Sequence, residues 1–203
     1  MGEIELSIET KAESHPTDIY VVGKVGVGKS CLISAFLGEN YNFSYDTKLN
    51  ERYMEKNEKG SVCFFDVIGF EEDIEKDRVI IEKIKKEIAE RPQHNNMAIW
   101  YCINSNCRRY PLSELEIIKE LLSIGAPLSI IITQCYVAKK RVDEFAEFIR
   151  RANTENGMNG IPIYNVLAME TEFEIDHENT IRIPAFGLEE LISKTIGILN
   201  INQ

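Results

Sequence analysis

The sequence contains no apolar segment as long as a membrane span. A transmembrane helix needs about 20 consecutive apolar residues, and polar or charged residues interrupt every apolar segment of this 203-residue chain. Residues 1–17 are polar and acidic, so they do not have the pattern of a secretory signal or of a basic targeting peptide. We therefore expect a cytoplasmic protein without a membrane span.

Basic residues are scarce relative to acidic ones. The chain has 23 Lys and Arg against 33 Asp and Glu, which gives a formal net charge of −10. Phosphate backbones and anionic lipid surfaces repel a protein of this charge at long range. Bulk electrostatics thus argue against a nucleic-acid partner, and none is expected.

Cysteines are few and irregularly spaced. A disulfide framework or a zinc site would need cysteines in regularly spaced pairs. The odd number and the apolar surroundings of several of them favour free, mostly buried thiols. The five cysteines are Cys31, Cys63, Cys102, Cys107 and Cys135.

The chain does have a regular alternation of strand-like apolar segments and amphipathic helical segments from residue 18 to the end. This alternation predicts helices on both faces of a mainly parallel sheet. The predicted strands are 19–22, 51–56, 62–66, 97–103, 128–133 and 162–167, and the predicted helices are 29–37, 74–91, 112–124, 139–152 and 188–199. Six strands and five helices predict one three-layer, doubly wound α/β domain at residues 18–203, after a polar extension at 1–17. Residues 170–184 exceed a usual connection and predict a small insertion.

A glycine-rich motif follows the first predicted strand. Residues 23–30 match the pattern G-x-x-x-x-G-K-[ST] at every fixed position. Glycines allow successive backbone N–H groups to face inward as an anion nest, and the positive end of the next helix adds to that field. An accidental glycine-rich turn is the alternative, but it would also need its flanking strand and helix by chance. The predicted phosphate-binding residues are Gly23, Lys24, Val25, Gly26, Val27, Gly28, Lys29, Ser30 and Cys31.

Side chains in and near this loop are predicted to bind the phosphates and the metal ion. Lys29 is expected to reach the β- and γ-phosphates, and the Ser30 hydroxyl to coordinate Mg²⁺. Asp66 ends the third predicted strand, at the edge of the sheet where ligands of open α/β sheets bind, and is the candidate second anchor of the metal. A carboxylate that only caps the next helix is the alternative for Asp66. The D-x-x-G spacing adds Gly69, whose N–H is predicted to meet a γ-phosphate.

With these motifs the chain after residue 17 resembles the Ras-like P-loop GTPases of the translation-factor class, closest to Era-like and septin-like small GTPase domains. The segment from Asp66 to Phe70, Asp-Val-Ile-Gly-Phe, is similar to the third G box of that family. The resemblance implies the P-loop NTPase (small G-protein) fold, Mg²⁺ as cofactor and GTP or GDP as ligand. It also implies that Thr47 completes the metal coordination and senses the γ-phosphate, with Ser44 as a rival for that role.

Two departures from the family pattern affect what the resemblance implies. Ras-type members have a water-orienting glutamine where this chain has Phe70, so intrinsic hydrolysis is expected to be slow and to need another device, such as a partner, dimerisation or a bound cation. Arg108 and Arg109 are candidates for an arginine finger acting in trans, although a solvated charge pair is the favoured interpretation.

The second departure is in the fourth G box, usually [NT]-K-x-D, which reads Thr133-Gln134-Cys135-Tyr136 here. Thr133 fits the pattern, and the Gln134 stem is able to lie along a base. A phenol at Tyr136 does not offer the paired acceptors with which a carboxylate binds guanine, so guanine preference is expected to fall. The fifth box maps near residues 166–168, where only Ala168 matches, and the resemblance implies that its N–H reaches the base.

The resulting hypothesis is a GTP-binding protein with slow Mg²⁺-dependent GTP hydrolysis, which acts as a nucleotide-controlled switch on an unidentified protein effector. Homodimerisation is left open as a further partnership. The alternative is a degenerate P-loop interaction module with weak or non-selective nucleotide binding. An ATPase or small-molecule kinase is disfavoured because the sequence has no arginine-rich lid segment.

Overall fold

Six strands form one twisted sheet in the computed structural model, which describes residues 17–38, 51–57, 60–71, 73–90, 96–107, 110–174 and 179–201. The strands lie in the order β2-β3-β1-β4-β5-β6, and β2 alone among them runs antiparallel to its neighbour. They are β1 (Thr17–Gly23), β2 (Glu51–Asn57), β3 (Gly60–Asp66), β4 (Met97–Asn104), β5 (Leu128–Thr133) and β6 (Ile163–Asn165).

Five helices cover the two faces of this sheet. They are α1 (Lys29–Leu37), α2 (Ile74–Ala89), α3 (Leu112–Leu122), α4 (Lys139–Glu155) and α5 (Leu188–Ile201). Because successive strand residues point to opposite faces, Ile19 and Val21 of β1 pack in the same cluster as residues of α1 and α5. Tyr20 and Val22 pack with α2, α3 and α4. Both faces of the sheet are therefore apolar, which explains the near-continuous apolar strands of the sequence.

The predicted three-layer, doubly wound α/β fold is confirmed. The bounds of α1 and β5 agree with the prediction, whereas β6 is shorter than predicted because it pairs with β5 over only three residues. The segment predicted as an insertion contains a separate antiparallel hairpin of β7 (Thr171–Glu174) and β8 (Thr180–Ile183). None of the helices in the described part of the chain is long and apolar enough to cross a bilayer.

The topology brings the ends of the parallel strands to one edge of the sheet. In a parallel sheet the carboxyl ends of all strands lie at the same edge, where ligands of open α/β sheets bind. The last residues of β1, β3, β4 and β5 are Gly23, Asp66, Asn104 and Thr133. The candidate site residues therefore meet at this edge although they are far apart in sequence.

The indole of Trp100 connects β4 to α5. Trp100 is fully buried in β4, and its Nε1–H donates a hydrogen bond of 3.0 Å to Oγ1 of Thr195. A buried donor costs free energy when it has no acceptor. Thr195 thus allows the single tryptophan of the chain to serve as a core residue.

We expect Thr195→Val, which keeps the side-chain volume and removes the acceptor, to lower the free energy of unfolding by about 1–3 kcal/mol. Urea denaturation at equilibrium measures this change. Thr180→Val at an exposed position of β8 is the matched control and should change stability by less than about 0.5 kcal/mol. Equal stability of Thr195→Val and the unmodified protein would show that the indole does not depend on this acceptor.

Candidate phosphate-binding site

The loop between β1 and α1 leaves the positive end of a helix without a side-chain cap. Gly26 and Gly28 have φ values of 77° and 95°, in the left-handed region that glycine adopts readily. Gly28 is the N-cap of α1, which has neither a side-chain cap nor an acidic residue in its first turn. By contrast, α2 begins at Asp73, whose carboxylate accepts a hydrogen bond of 3.4 Å from the N–H of Lys76. The first-turn N–H groups of α1 are thus suited to an external anion.

Lys29 is held inside the curve of this loop. Its Nζ donates to the carbonyl oxygens of Gly23 at 3.1 Å and Lys24 at 3.0 Å, and the residue is only 7% exposed. Burial lowers the pKa of the Lys29 ammonium, and the nearby charge of Asp66 opposes that effect. An ammonium has three donors, so one donor beyond these two bonds can be offered to a phosphate. The arrangement fits the predicted role of Lys29.

Ser30 and Asp66 are brought together as the sequence predicts. The Ser30 Oγ donates to Oδ2 of Asp66 at 2.6 Å, and Asp66 is 3% exposed at the end of β3. Hydroxyl and carboxylate oxygens are the ligand types that Mg²⁺ prefers, so this pair fits a magnesium ion. The alternative interpretation of Asp66 as a helix cap is wrong, because Asp73 caps α2.

Gly69 and Phe70 attach the end of β3 to the phosphate loop. The N–H of Phe70 donates to the carbonyl of Gly23, and the N–H of Val25 donates to the carbonyl of Phe70, both at 3.2 Å. A Cβ atom on Gly69 would lie 2.5 Å from the backbone nitrogen of Val25, so only glycine allows this approach. The Gly69 backbone consequently lies beside the loop that is predicted to hold the γ-phosphate.

The side chain of Phe70 points into the core. It is 1% exposed and stacks on Tyr101, with ring centroids 6.3 Å apart. The position that carries the water-orienting glutamine in Ras-type relatives is therefore occupied by a packing residue.

Lys24 contributes its backbone to the loop, whereas its side chain is directed to Glu114 of α3. The Lys24 Nζ and Glu114 Oε1 are 3.0 Å apart, and the hydroxyl of Tyr101 donates to the other oxygen of the same carboxylate. Burial, together with the charge of Glu114, raises the pKa of Tyr101 well above its ordinary value. Glu114 is not among the residues predicted from the sequence. The available signal was an acidic residue within the apolar stripe that continues with Ile118 and Leu121.

The end of β5 supports the loop from the other side. The Thr133 hydroxyl is hydrogen-bonded to the carbonyl of Val27. The Gln134 Nε2 donates to the carbonyl of Gly26 at 3.2 Å, while its Oε1 accepts from Asn104 at 3.0 Å. Gln134 adopts a φ of 54°, which is unusual for a residue other than glycine. These contacts place both predicted residues against the phosphate loop, and their contact with a base stays a prediction.

Three further predicted groups have different outcomes. Ala168 follows β6 and lines a cavity of about 550 Å³ between α1 and the start of α5, together with Phe36 and Leu188. Cys31 is exposed near the start of α1. Thr47, Ser44, Arg108 and Arg109 lie outside the described residues, so their roles stay predictions.

Known structures with the same fold include two with a bound nucleotide. Toc33 from Arabidopsis thaliana in complex with Mg²⁺ and GMPPNP aligns with a TM-score of 0.65 and 16% identity over 93% of this chain and 85% of that chain. Era from Aquifex aeolicus bound to GDP·AlF₄⁻ aligns with a TM-score of 0.60 and 19% identity over 90% of this chain and 56% of that one. Translation elongation factor SelB from Methanococcus maripaludis gives a TM-score of 0.59 at 13% identity, over 93% of this chain and 34% of that one. At these identities the likeness shows the fold alone.

The sequence itself matches a protein family over more than half its length. The family is described as 50S ribosome-binding GTPase, and the match covers residues 18–134. The chain has no significant match among curated protein sequences. The family match includes the phosphate loop and the third G box, and it ends immediately before Cys135 and Tyr136. The resemblance drawn from the motifs is thereby confirmed: the chain belongs to the family of 50S ribosome-binding GTPases and is a GTP-binding P-loop protein whose cofactor is Mg²⁺.

Proposed function

We propose that this domain is a slow GTPase that acts as a nucleotide-controlled switch on a protein partner. The observation that carries the proposal is the convergence of Lys29, Ser30 and Asp66 at the carboxyl edge of the sheet, around an uncapped helix start. An interaction module that had lost nucleotide binding would have no reason to keep a buried ammonium next to a hydroxyl–carboxylate pair, because burying a charge costs free energy.

Each group has a defined part in the proposed reaction. The N–H groups at the start of α1 and the Lys29 ammonium bind the β- and γ-phosphates and stabilise negative charge that develops during hydrolysis. Ser30 and Asp66, with Thr47 from the first switch loop, hold Mg²⁺, which neutralises charge on the phosphate oxygens when it is bound. The Gly69 N–H is proposed to donate to the γ-phosphate.

Slow hydrolysis is proposed because the side chain of Phe70 is buried in the core. A residue that packs against Tyr101 is unable to orient a water molecule at the γ-phosphate, and its apolar ring offers no hydrogen bond. Assistance is then proposed to come from another source, such as a partner, a second copy of the chain, a bound cation or a group elsewhere in the site.

The switch is proposed to begin at Gly69. The residues after it are tied to α2, since the N–H of Glu71 donates to Oδ1 of the buried Asp77 at 3.0 Å. A change at Gly69 on phosphate release therefore acts on a short segment anchored at both ends, at the phosphate loop and at α2. Such a segment is a suitable two-state element for altering the affinity of a partner.

Release of inorganic phosphate from Mg²⁺-GTP tests the proposal. We expect an intrinsic rate below the order of 10⁻⁴ s⁻¹ found for an unassisted Ras-type GTPase, because that protein has the water-orienting glutamine. Lys29→Ala should lower the rate at least about 100-fold, because it removes a donor to the developing charge. Lys139→Ala, at an exposed lysine of α4, is the matched control and should retain the full rate.

The dependence of the rate on protein concentration tests homodimerisation as the source of assistance. A rate per molecule that rises with concentration would indicate homodimerisation, whereas a constant rate would argue against it. Absence of both GTP binding and hydrolysis in the unmodified protein would contradict the proposal and leave the interaction module.

Phe70→Gln should fail to accelerate hydrolysis although it restores the residue of Ras-type relatives. The new amide would be buried in the core, so we expect a loss of about 3 kcal/mol or more in the free energy of unfolding. Phe148→Gln, at a ring that is 42% exposed on α4, is the control and should be nearly neutral in stability. A several-fold faster reaction at unchanged stability would show that position 70 faces the reacting water in solution.

A further inference from the structure

The β7–β8 hairpin has one apolar and one charged face. In its register Phe173 lies opposite Ile181, and Glu172 lies opposite Arg182. The Arg182 guanidinium is 2.5 Å from the Glu172 carboxylate and 3.4 Å from that of Glu170. Because side chains alternate along a strand, these ion pairs stand on the face opposite to Phe173 and Ile181.

The apolar face of the hairpin contacts the fourth G box. The rings of Phe173 and Tyr136 have centroids 5.4 Å apart at an interplanar angle of 53°. The hydroxyl of Tyr136 accepts a hydrogen bond of 2.6 Å from Nδ2 of Asn106. Tyr136 stands three residues after Thr133, where relatives of this fold carry the aspartate that binds guanine. The β7–β8 hairpin, which follows the fifth G box, thus packs directly on Tyr136, the residue that departs from the pattern of the fourth G box.

The aromatic contact leaves much of the apolar face uncovered. Phe173 is 39% exposed and Ile181 is 50% exposed, although Phe173 packs on Tyr136. Gln134, two residues before Tyr136, is bonded to the phosphate loop at Gly26. Phe173 therefore contacts, through Tyr136, the same short segment that is hydrogen-bonded to the phosphate loop. A purine has a flat ring that would cover this surface.

We propose that the β7–β8 hairpin is a nucleobase lid, in which Phe173 and Tyr136 contact the purine ring of the bound nucleotide. The base is then held by ring contacts in place of the usual carboxylate. This inference rests on the proposed function, since the phosphate loop must first bind the nucleotide.

Ring contacts predict a particular ligand preference. Stacking on aromatic side chains tolerates different bases because every base has a π-face. Neither the Tyr136 phenol nor the Asn106 amide supplies the pair of charged acceptors that distinguishes guanine from adenine. GTP and ATP should therefore bind within about tenfold of each other, whereas CTP, with a smaller ring, should bind more weakly.

Calorimetric titration of the full chain with Mg²⁺-GTP, Mg²⁺-ATP and Mg²⁺-tripolyphosphate tests the lid. We expect Phe173→Ala to weaken GTP and ATP by a similar factor, about 5- to 100-fold, and to leave tripolyphosphate unchanged. Phe173→Tyr keeps the ring and should retain binding. Phe148→Ala, at an equally exposed ring on α4, is the matched control and should have no effect.

The fluorescence of a Phe173→Trp variant tests whether the base contacts residue 173 directly. The native Trp100 is buried, so a fluorescence change that depends on the base comes from the introduced indole. We expect GTP and ATP to quench its fluorescence and tripolyphosphate to leave it unchanged.

The outcomes distinguish failure of the lid proposal from failure of the proposed function. Unchanged GTP affinity of Phe173→Ala, with tight GTP binding by the unmodified protein, would overturn the lid and leave the GTPase proposal intact. An equal loss of GTP and tripolyphosphate would also overturn it, because the hairpin would then support the loop and not the base. If the unmodified protein binds neither ligand, both the lid and the proposed function fail.

Discussion

The phosphate loop depends on the backbone contacts that hold it from both sides at the carboxyl edge of the sheet. On the β3 side, Gly69 and Phe70 approach so closely that a Cβ atom at Gly69 would collide with Val25. On the β5 side, Thr133 and Gln134 bind the carbonyls of Val27 and Gly26. With its carbonyl groups engaged in this way, the loop fixes the position of the start of α1 and of the Lys29 ammonium. Donors that are held in fixed positions lose less free energy to ordering when an anion binds.

The same contacts account for the two departures from the pattern of related GTPases. Phe70 uses its backbone to attach β3 to the loop and its ring to fill the core beside Tyr101, so it is a structural residue at a position that is catalytic elsewhere. Tyr136 is similarly engaged, because it packs on the hairpin through Phe173. In both places an aromatic ring packs against another ring, and the polar group that related GTPases carry there is missing. Under the proposed function, the phosphate loop binds the nucleotide, while hydrolysis and base contacts depend on other parts of the molecule.

Local sequence patterns were enough to predict much of this arrangement. The P-loop pattern, the strand-end Asp66 and the periodicity of the helices are properties of short segments, and the bounds of α1 and β5 followed from them. The direction of the Phe70 ring, the ion pair between Lys24 and Glu114, and the contact between Tyr136 and Phe173 were not predictable in this way. Each of these joins residues that are tens of positions apart, and the partner depends on how helices and hairpin pack after the sheet has formed. In the sequence, these contacts are indicated only by irregularities, such as a charged residue within an apolar stripe or a connection that is longer than usual.

The most direct test of the central claim is calorimetric titration of the nucleotide-free protein with GTP in Mg²⁺ and again in EDTA. If the Ser30–Asp66 pair holds the metal beside the phosphate loop, GTP should bind in Mg²⁺ and bind about tenfold or more weakly in EDTA. Binding of equal strength in both buffers would show that the pair does not hold a metal, and absence of binding in Mg²⁺ would contradict the account as a whole.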